Sequence, residues 1–180
     1  MNGQRLFIAV NFNEETKRQM RKIACTLKKY MKRGSLTRRE NLHLTLAFLG
    51  EVAEDRVYDV KCAMDTIDCS ALELRFNRIG SFSRGAESLF WLGALENQQL
   101  TEMQKELICQ LRQRGFQPDG KQFRPHVTLA RRAVMDSGFQ LETVNEELPE
   151  ITQRIDRISL VRSERIKGIL TYTEIYSAEF

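Results

Sequence analysis

His43-Leu44-Thr45-Leu46-Ala47 returns 83 residues later as His126-Val127-Thr128-Leu129-Ala130, and these stretches hold the only two histidines of the 180-residue chain. Side chains alternate between the faces of an extended strand, so each His shares a face with the Thr two residues on. Leu44, Leu46, Val127 and Leu129 point the other way. Each stretch therefore reads as a buried strand that shows an imidazole and a hydroxyl on its free face. The same shift superposes Leu6-Phe7 on Leu89-Phe90, and Met20 and Lys22 on Met103 and Lys105, which marks an internal duplication. Two copies, each delivering one His and one Thr, suit a pseudo-twofold site between two lobes.

Upstream of the first motif, Leu6 to Phe12 reads as a strand and Asn13 as the N-cap of the next helix. Met20, Ile23, Ala24, Leu27, Tyr30 and Met31 keep helical spacing, predicting a helix over Glu14 to Lys32 that Gly34-Ser35 ends. The first His strand is expected to stop at Gly50. Downstream, Val57, Val60, Met64 and Ile67 predict a helix near 53–67, and alternation over Leu72 to Ile79 predicts a strand with one wet face. A turn over Gly80 to Gly85 leads to a strand at Leu89 to Leu95. A helix near Asn97 to Arg114, closed by Gly115, and a loop at 117–121 precede the second His strand, whose start Pro125 presets. A short helix within 136–149 and strands at Arg154 to Val161 and Leu170 to Phe180 complete the chain. Strand, helix, His-bearing strand is thus repeated, giving an α+β fold. Two pseudo-symmetric lobes of antiparallel sheet surround a central cleft with helices outside, in a single domain spanning 1–180.

Hydrophobic residues make up 42% and charged residues 29% of the sequence, as in a soluble globular protein, and no apolar run is long enough to span a bilayer. Met1 to Asn13 lacks a signal-peptide layout. A cytoplasmic monomer without membrane partners is expected. Cys25, Cys62, Cys69 and Cys109 lack the close pairing of zinc or redox sites and read as small buried hydrophobes. A net charge of +4 permits an anionic partner without requiring one.

Histidine is the side chain that both gives and takes a proton near neutral pH, so a facing pair can hold one acid and one base. One imidazole would activate water while the other protonates a leaving oxygen; the sequence does not say which. Thr45 and Thr128 could hydrogen-bond an oxyanion between them. A phosphodiester fits such a centre, with non-bridging oxygens for the hydroxyls and an in-line path from nucleophile to leaving group. Two histidines without a carboxylate at ligand spacing argue against a metal site, and no cofactor is implied. Among the basic residues flanking the motifs, Arg124 and Arg131 lie nearest the second strand. Strict alternation puts Arg131 opposite His126, so it reaches the site only if the strand bends near Ala130. Phe48 has the same phase on the first strand and is expected in the core.

His43 to Gly50 and Arg124 to Arg131 closely resemble the paired signatures of the 2H phosphoesterases. The chain is most similar to their RNA 2',3'-cyclic phosphodiesterase branch, also called the 2'-5' RNA ligase family. The likeness runs from Leu6-Phe7-Ile8-Ala9 to Ile158-Ser159-Leu160-Val161-Arg162-Ser163. It implies a bilobal 2H fold and metal-independent opening of RNA 2',3'-cyclic phosphate termini to 2'-phosphates, with reverse 2'-5' ligation as a secondary activity. By motif position it implies that His43 protonates the departing 3' oxygen and His126 takes the proton of water. Thr45, Thr128 and Arg131 would hold the phosphate. Two other readings remain open at this point: a phosphodiesterase for a small cyclic nucleotide, and a non-catalytic nucleotide- or RNA-binding module.

Overall fold

The repeat is visible in the order of elements. Strand β1 (Gly3–Asn11), helix α1 (Glu14–Lys28), β2 (Met31–Leu36) and β3 (His43–Ala53) form the first unit. Helix α2 (Val57–Asp65) and β4 (Leu72–Arg84) lead to the second: β5 (Glu87–Ala94), α3 (Gln98–Gln113) and β6 (His126–Met135). Helix α4 (Leu141–Glu146), β7 (Ile151–Ile155), β8 (Arg157–Ile166) and β9 (Ile169–Glu179) close the chain. The computed structural model describes residues 3–120 and 122–180. Lys121, at the end of the expected 117–121 loop, and Met1 and Asn2 of the polar N-terminus lie outside them.

The strands form one antiparallel sheet in the order β7-β4-β5-β6-β3-β1-β8-β9, with β2 against β6. Each His strand lies beside the first strand of its own repeat: β3 pairs β1 and β6 pairs β5. The two lobes join where β3 meets β6, at Leu44 opposite Val127. These two residues are also 83 apart, so the pseudo-twofold axis passes between them. The polypeptide thereby places its two His-x-Thr strands side by side at the centre of the sheet.

Helical faces explain which side of the sheet is covered. Met20, Ile23, Ala24 and Leu27 of α1 and Leu100, Met103, Leu107 and Leu111 of α3 are buried. They pack in one core with Leu6, Ile8 and Val10 of β1, Leu44 and Leu46 of β3, and Val127 and Leu129 of β6. Burying each such side chain contributes roughly 1.5–3 kcal/mol. Asn13 caps α1 by accepting from the Thr16 N–H at 2.8 Å, and Asn97 caps α3 by accepting from Leu100 N–H at 2.9 Å. On the opposite face, Phe7, Ala9 and Val161 form a separate small cluster with Tyr172. That face carries the histidines.

Several boundaries differ from expectation. Helix α1 ends at Lys28, not Lys32, and Met31 buries its side chain from strand β2, which sequence periodicity hid. Strand β3 runs past Gly50, whose φ of 73° supplies a left-handed kink inside the strand. Strand β4 likewise continues through Gly80 to Arg84 instead of turning. The expected strand at Arg154 to Val161 is two strands that meet at Asp156. The cysteines are not buried: Cys25 and Cys109 are exposed, and Cys62 and Cys69 are half-buried.

Candidate active site

Antiparallel pairing of Leu44 with Val127 sets His43 across from Thr128 and Thr45 across from His126. Each motif therefore complements the other. The flanking residues orient both rings in the same way. His43 Nδ1–H donates to the Asn41 carbonyl at 2.7 Å, and His126 Nδ1–H donates to the Arg124 carbonyl at 2.6 Å. A carbonyl only accepts, so each bond places the proton on Nδ1 and leaves Nε2 for chemistry. Thr45 Oγ1 lies 3.0 Å from His43 Nε2 and donates to it in this tautomer.

Aromatic rings bracket both imidazoles. Phe7 and Tyr172 stand 4.8 and 5.2 Å from His43, centroid to centroid. Phe82 and Trp91 each stand 6.0 Å from His126. The Trp91 ring covers bare backbone at Gly80, where a Cβ would come within 2.1 Å of it. Burial pushes the pKa of His43 down from 6.5 to about 4, against the bond from Asn41, with the charges of Arg131 and His126 adding to the effect. His43 is thus neutral in the unliganded chain at neutral pH.

Arg131 reaches this site, and the reason is a bulge. In β6, Phe90 pairs with Ala130 and Trp91 with Thr128, so one extra residue is inserted at Leu129-Ala130 and the alternation reverses. The matching bulge in β3 lies at Leu46-Ala47, since Ile8 pairs with Ala47 and Ala9 with Thr45. Leu46 and Ala47 are both buried, as are Leu129 and Ala130. Phe48 consequently emerges on the cleft side, 39% exposed, with the Arg5 guanidinium 5.1 Å from its ring centre. The expectation that Phe48 belongs to the core is corrected by that change of phase.

Two adjoining cavities open over His43. One, of about 180 Å³, is lined by Thr37, Arg38, Asn41, His43, Thr128 and Arg131 among others. The second, of about 570 Å³, adds Arg5, Thr45, Phe48 and Arg165. Leu170 and Tyr172 wall both. The structure thus gathers His43, Thr45, Thr128 and Arg131 around common space with His126 beside them. Arg124 is exposed and acts through its carbonyl. Sequence reasoning did not find Asn41, Thr37 or Tyr172. Asn41 is buried, and its amide donates to the Leu170 carbonyl at 3.0 Å, tying the β8–β9 hairpin to the His43 support. Thr37 Oγ1 is buried and has no hydrogen-bond partner among the described residues. No group of three or more His, Cys, Asp or Glu is arranged to hold a metal ion among the described residues, and no helix among them is long and apolar enough to cross a membrane.

Comparison with known proteins gives the same direction. The sequence pattern of the 2'-5' RNA ligase superfamily matches residues 13–167. An RNA 2',3'-cyclic phosphodiesterase of Thermotoga maritima is 30% identical over 98% of this chain and 95% of its own length. One from Archaeoglobus fulgidus is 28% identical over 93% of this chain and 92% of its own. The crystal structure of Escherichia coli LigT in apo form superposes with a TM-score of 0.82 at 25% identity, covering 99% of this chain and 98% of LigT.

Proposed function

The chain belongs to the 2'-5' RNA ligase superfamily, and from that premise we propose that it opens RNA 2',3'-cyclic phosphate ends to 2'-phosphates. His43 and His126 serve as the acid–base pair. The observation that carries the reading is the crossed arrangement at the lobe seam, His43 beside Thr128 and His126 beside Thr45, bordered by Arg131. Relatives named for this activity extend over nearly the full length and support it.

His126 Nε2 takes a proton from water as its oxygen attacks phosphorus. The bond from phosphorus to the 3' oxygen breaks, and His43 Nε2–H protonates that oxygen. The products are a 2'-phosphate and a 3'-hydroxyl; one proton has moved onto His126 and one off His43, and exchange with solvent resets both. Thr45, Thr128 and Arg131 hold the non-bridging oxygens, where negative charge grows. His43 is neutral when the cleft is empty, but an anionic phosphate beside it favours the imidazolium that an acid requires. With a 5'-hydroxyl attacking in place of water, the same steps open the cyclic phosphate into a 2'-5' linkage. Abundant water favours hydrolysis.

Incubating an oligoribonucleotide that ends in a 2',3'-cyclic phosphate and resolving the two monophosphate isomers tests the proposal. Accumulation of the 2'-phosphate is expected. A 3'-phosphate product, or an unchanged cyclic end, overturns it.

A further inference from the structure

The two copies of the repeat have diverged in charge on their solvent faces. Helix α1 carries Lys17, Arg18, Arg21, Lys22 and Lys28 against Glu14 and Glu15, whereas α3 balances Lys105 and Arg112 against Glu102 and Glu106. Matching grooves run along the two helices. The one on α1, of about 370 Å³, is lined by Arg18, Arg21, Lys22, Lys29 and Arg39, with Cys25 and Thr26, and no carboxylate. Its counterpart on α3 has, among the described residues, only Lys105 and Arg112 as cations and includes Asp119. Duplication alone would have kept them alike.

The α1 groove also touches the cleft. Arg21 Nη1–H donates to the Thr37 carbonyl at 2.9 Å, and Thr37 and Arg38 line the smaller cavity beside His43. Arg39, the next residue, lines the groove. One segment of backbone, 37–39, is therefore shared by both. Arg18 and Arg39 pair with Glu15 and Glu14 at the surface, contacts that a phosphate can replace at little cost. Lys22 and Lys29 are exposed and form no ion pair among the described residues.

Resting on the activity proposed above, we propose that the α1 groove binds the sugar-phosphate backbone of the RNA on the 5' side of its cyclic terminus, so that the substrate is an oligoribonucleotide lying across the first lobe. Arg18 to Lys29 spans about 16 Å along the helix. That is room for several nucleotides. Cations on one helical face carry no base readout, so the groove adds affinity without sequence preference.

The test compares Lys22→Gln/Lys29→Gln with Lys105→Gln/Arg112→Gln and the parent chain on two substrates, a 2',3'-cyclic mononucleotide and a ten-nucleotide RNA with the same terminus. Losing two phosphate contacts should reduce the slope of log(kcat/KM) against log[salt] by about 1.4 and lower RNA kcat/KM roughly tenfold or more at 0.1 M salt. Mononucleotide turnover should stay at the parent value, and the α3 double variant should match the parent on both. Equal loss on both substrates, an unchanged RNA slope in the α1 variant, or the same effect from the α3 variant overturns the groove while leaving cyclic phosphate opening intact. Failure of the parent to open either substrate overturns the activity itself and this inference with it.

Discussion

Phe48 and Arg131 are counterparts in the two repeats, 83 residues apart, and each emerges on the cleft side because a bulge just before it reverses the strand's alternation. One position presents a ring under Arg5 and the other a cation beside His43. The duplication has supplied a backbone device twice, and the two copies use it for different chemistry.

Arg131→Gln should therefore act in two separable ways. Loss of a charge-assisted contact to the phosphate should lower kcat/KM about a hundredfold, near 3 kcal/mol. Because Arg131 helps to hold the His43 pKa down, the same substitution should raise it, which nuclear magnetic resonance titration of the imidazole would register. A variant with normal turnover and an unmoved His43 titration would remove Arg131 from the site.

The half-buried, neutral state of His43 ties stability to pH. Its folded pKa, about 4, lies below the ordinary 6.5, so the unfolded chain binds a proton that the folded chain refuses between those values. Stability is then full above about pH 6.5 and falls as pH drops toward 4, by at most about 3 kcal/mol and less to the extent that solvent reaches the ring. Urea midpoints measured from pH 7 to 4 should show this decline in the parent and a weaker one in His43→Asn. Inorganic phosphate should reverse the preference: calorimetry near pH 6 in buffers of different ionisation enthalpy should report proton uptake on binding.

Gly80→Ala probes the support of His126. A methyl at this position meets the Trp91 ring at 2.1 Å, and the ring must shift from its place beside His126. We expect about 1–3 kcal/mol of destabilisation together with reduced turnover. Thermal unfolding and kcat measured on the same preparation check it; unaltered kcat in a destabilised protein would make Trp91 a packing residue only.

Much of this was legible in the sequence because the two His-x-Thr strands follow the simplest rule of extended chains. His43, Thr45, His126 and Thr128 share a face by period-two alternation, and the 83-residue shift announces that two such faces exist. The bulges were invisible because insertion of one residue depends on partners, Ile8 and Ala9 for β3 and Phe90 and Trp91 for β6, that lie far away in sequence. Hence Phe48 was misplaced and Arg131 seemed to face the wrong way.

Strand β2 was hidden by local agreement. Tyr30 and Met31 extend the apolar stripe of α1, but pairing with β6 draws this stretch into the sheet, and Met31 pairs with Met135. Tyr172 and Asn41 carried no signal, since an alternating strand and a polar turn look the same whether or not a histidine lies beside them. Cys25 and Cys109 border apolar positions on their helices yet fall on the solvent side, a difference of one step around the helix.

The central claim is that two equivalent imidazoles divide one proton transfer each. It is tested most directly by single-turnover rates of His43→Asn and His126→Asn on an RNA with a 2',3'-cyclic phosphate end, with circular dichroism confirming the fold. Each variant should lose about a thousandfold or more, and the double variant should be little worse than either, because the pair acts as a unit. If either single variant opens the ring at a rate within tenfold of the parent, the paired-histidine account is contradicted.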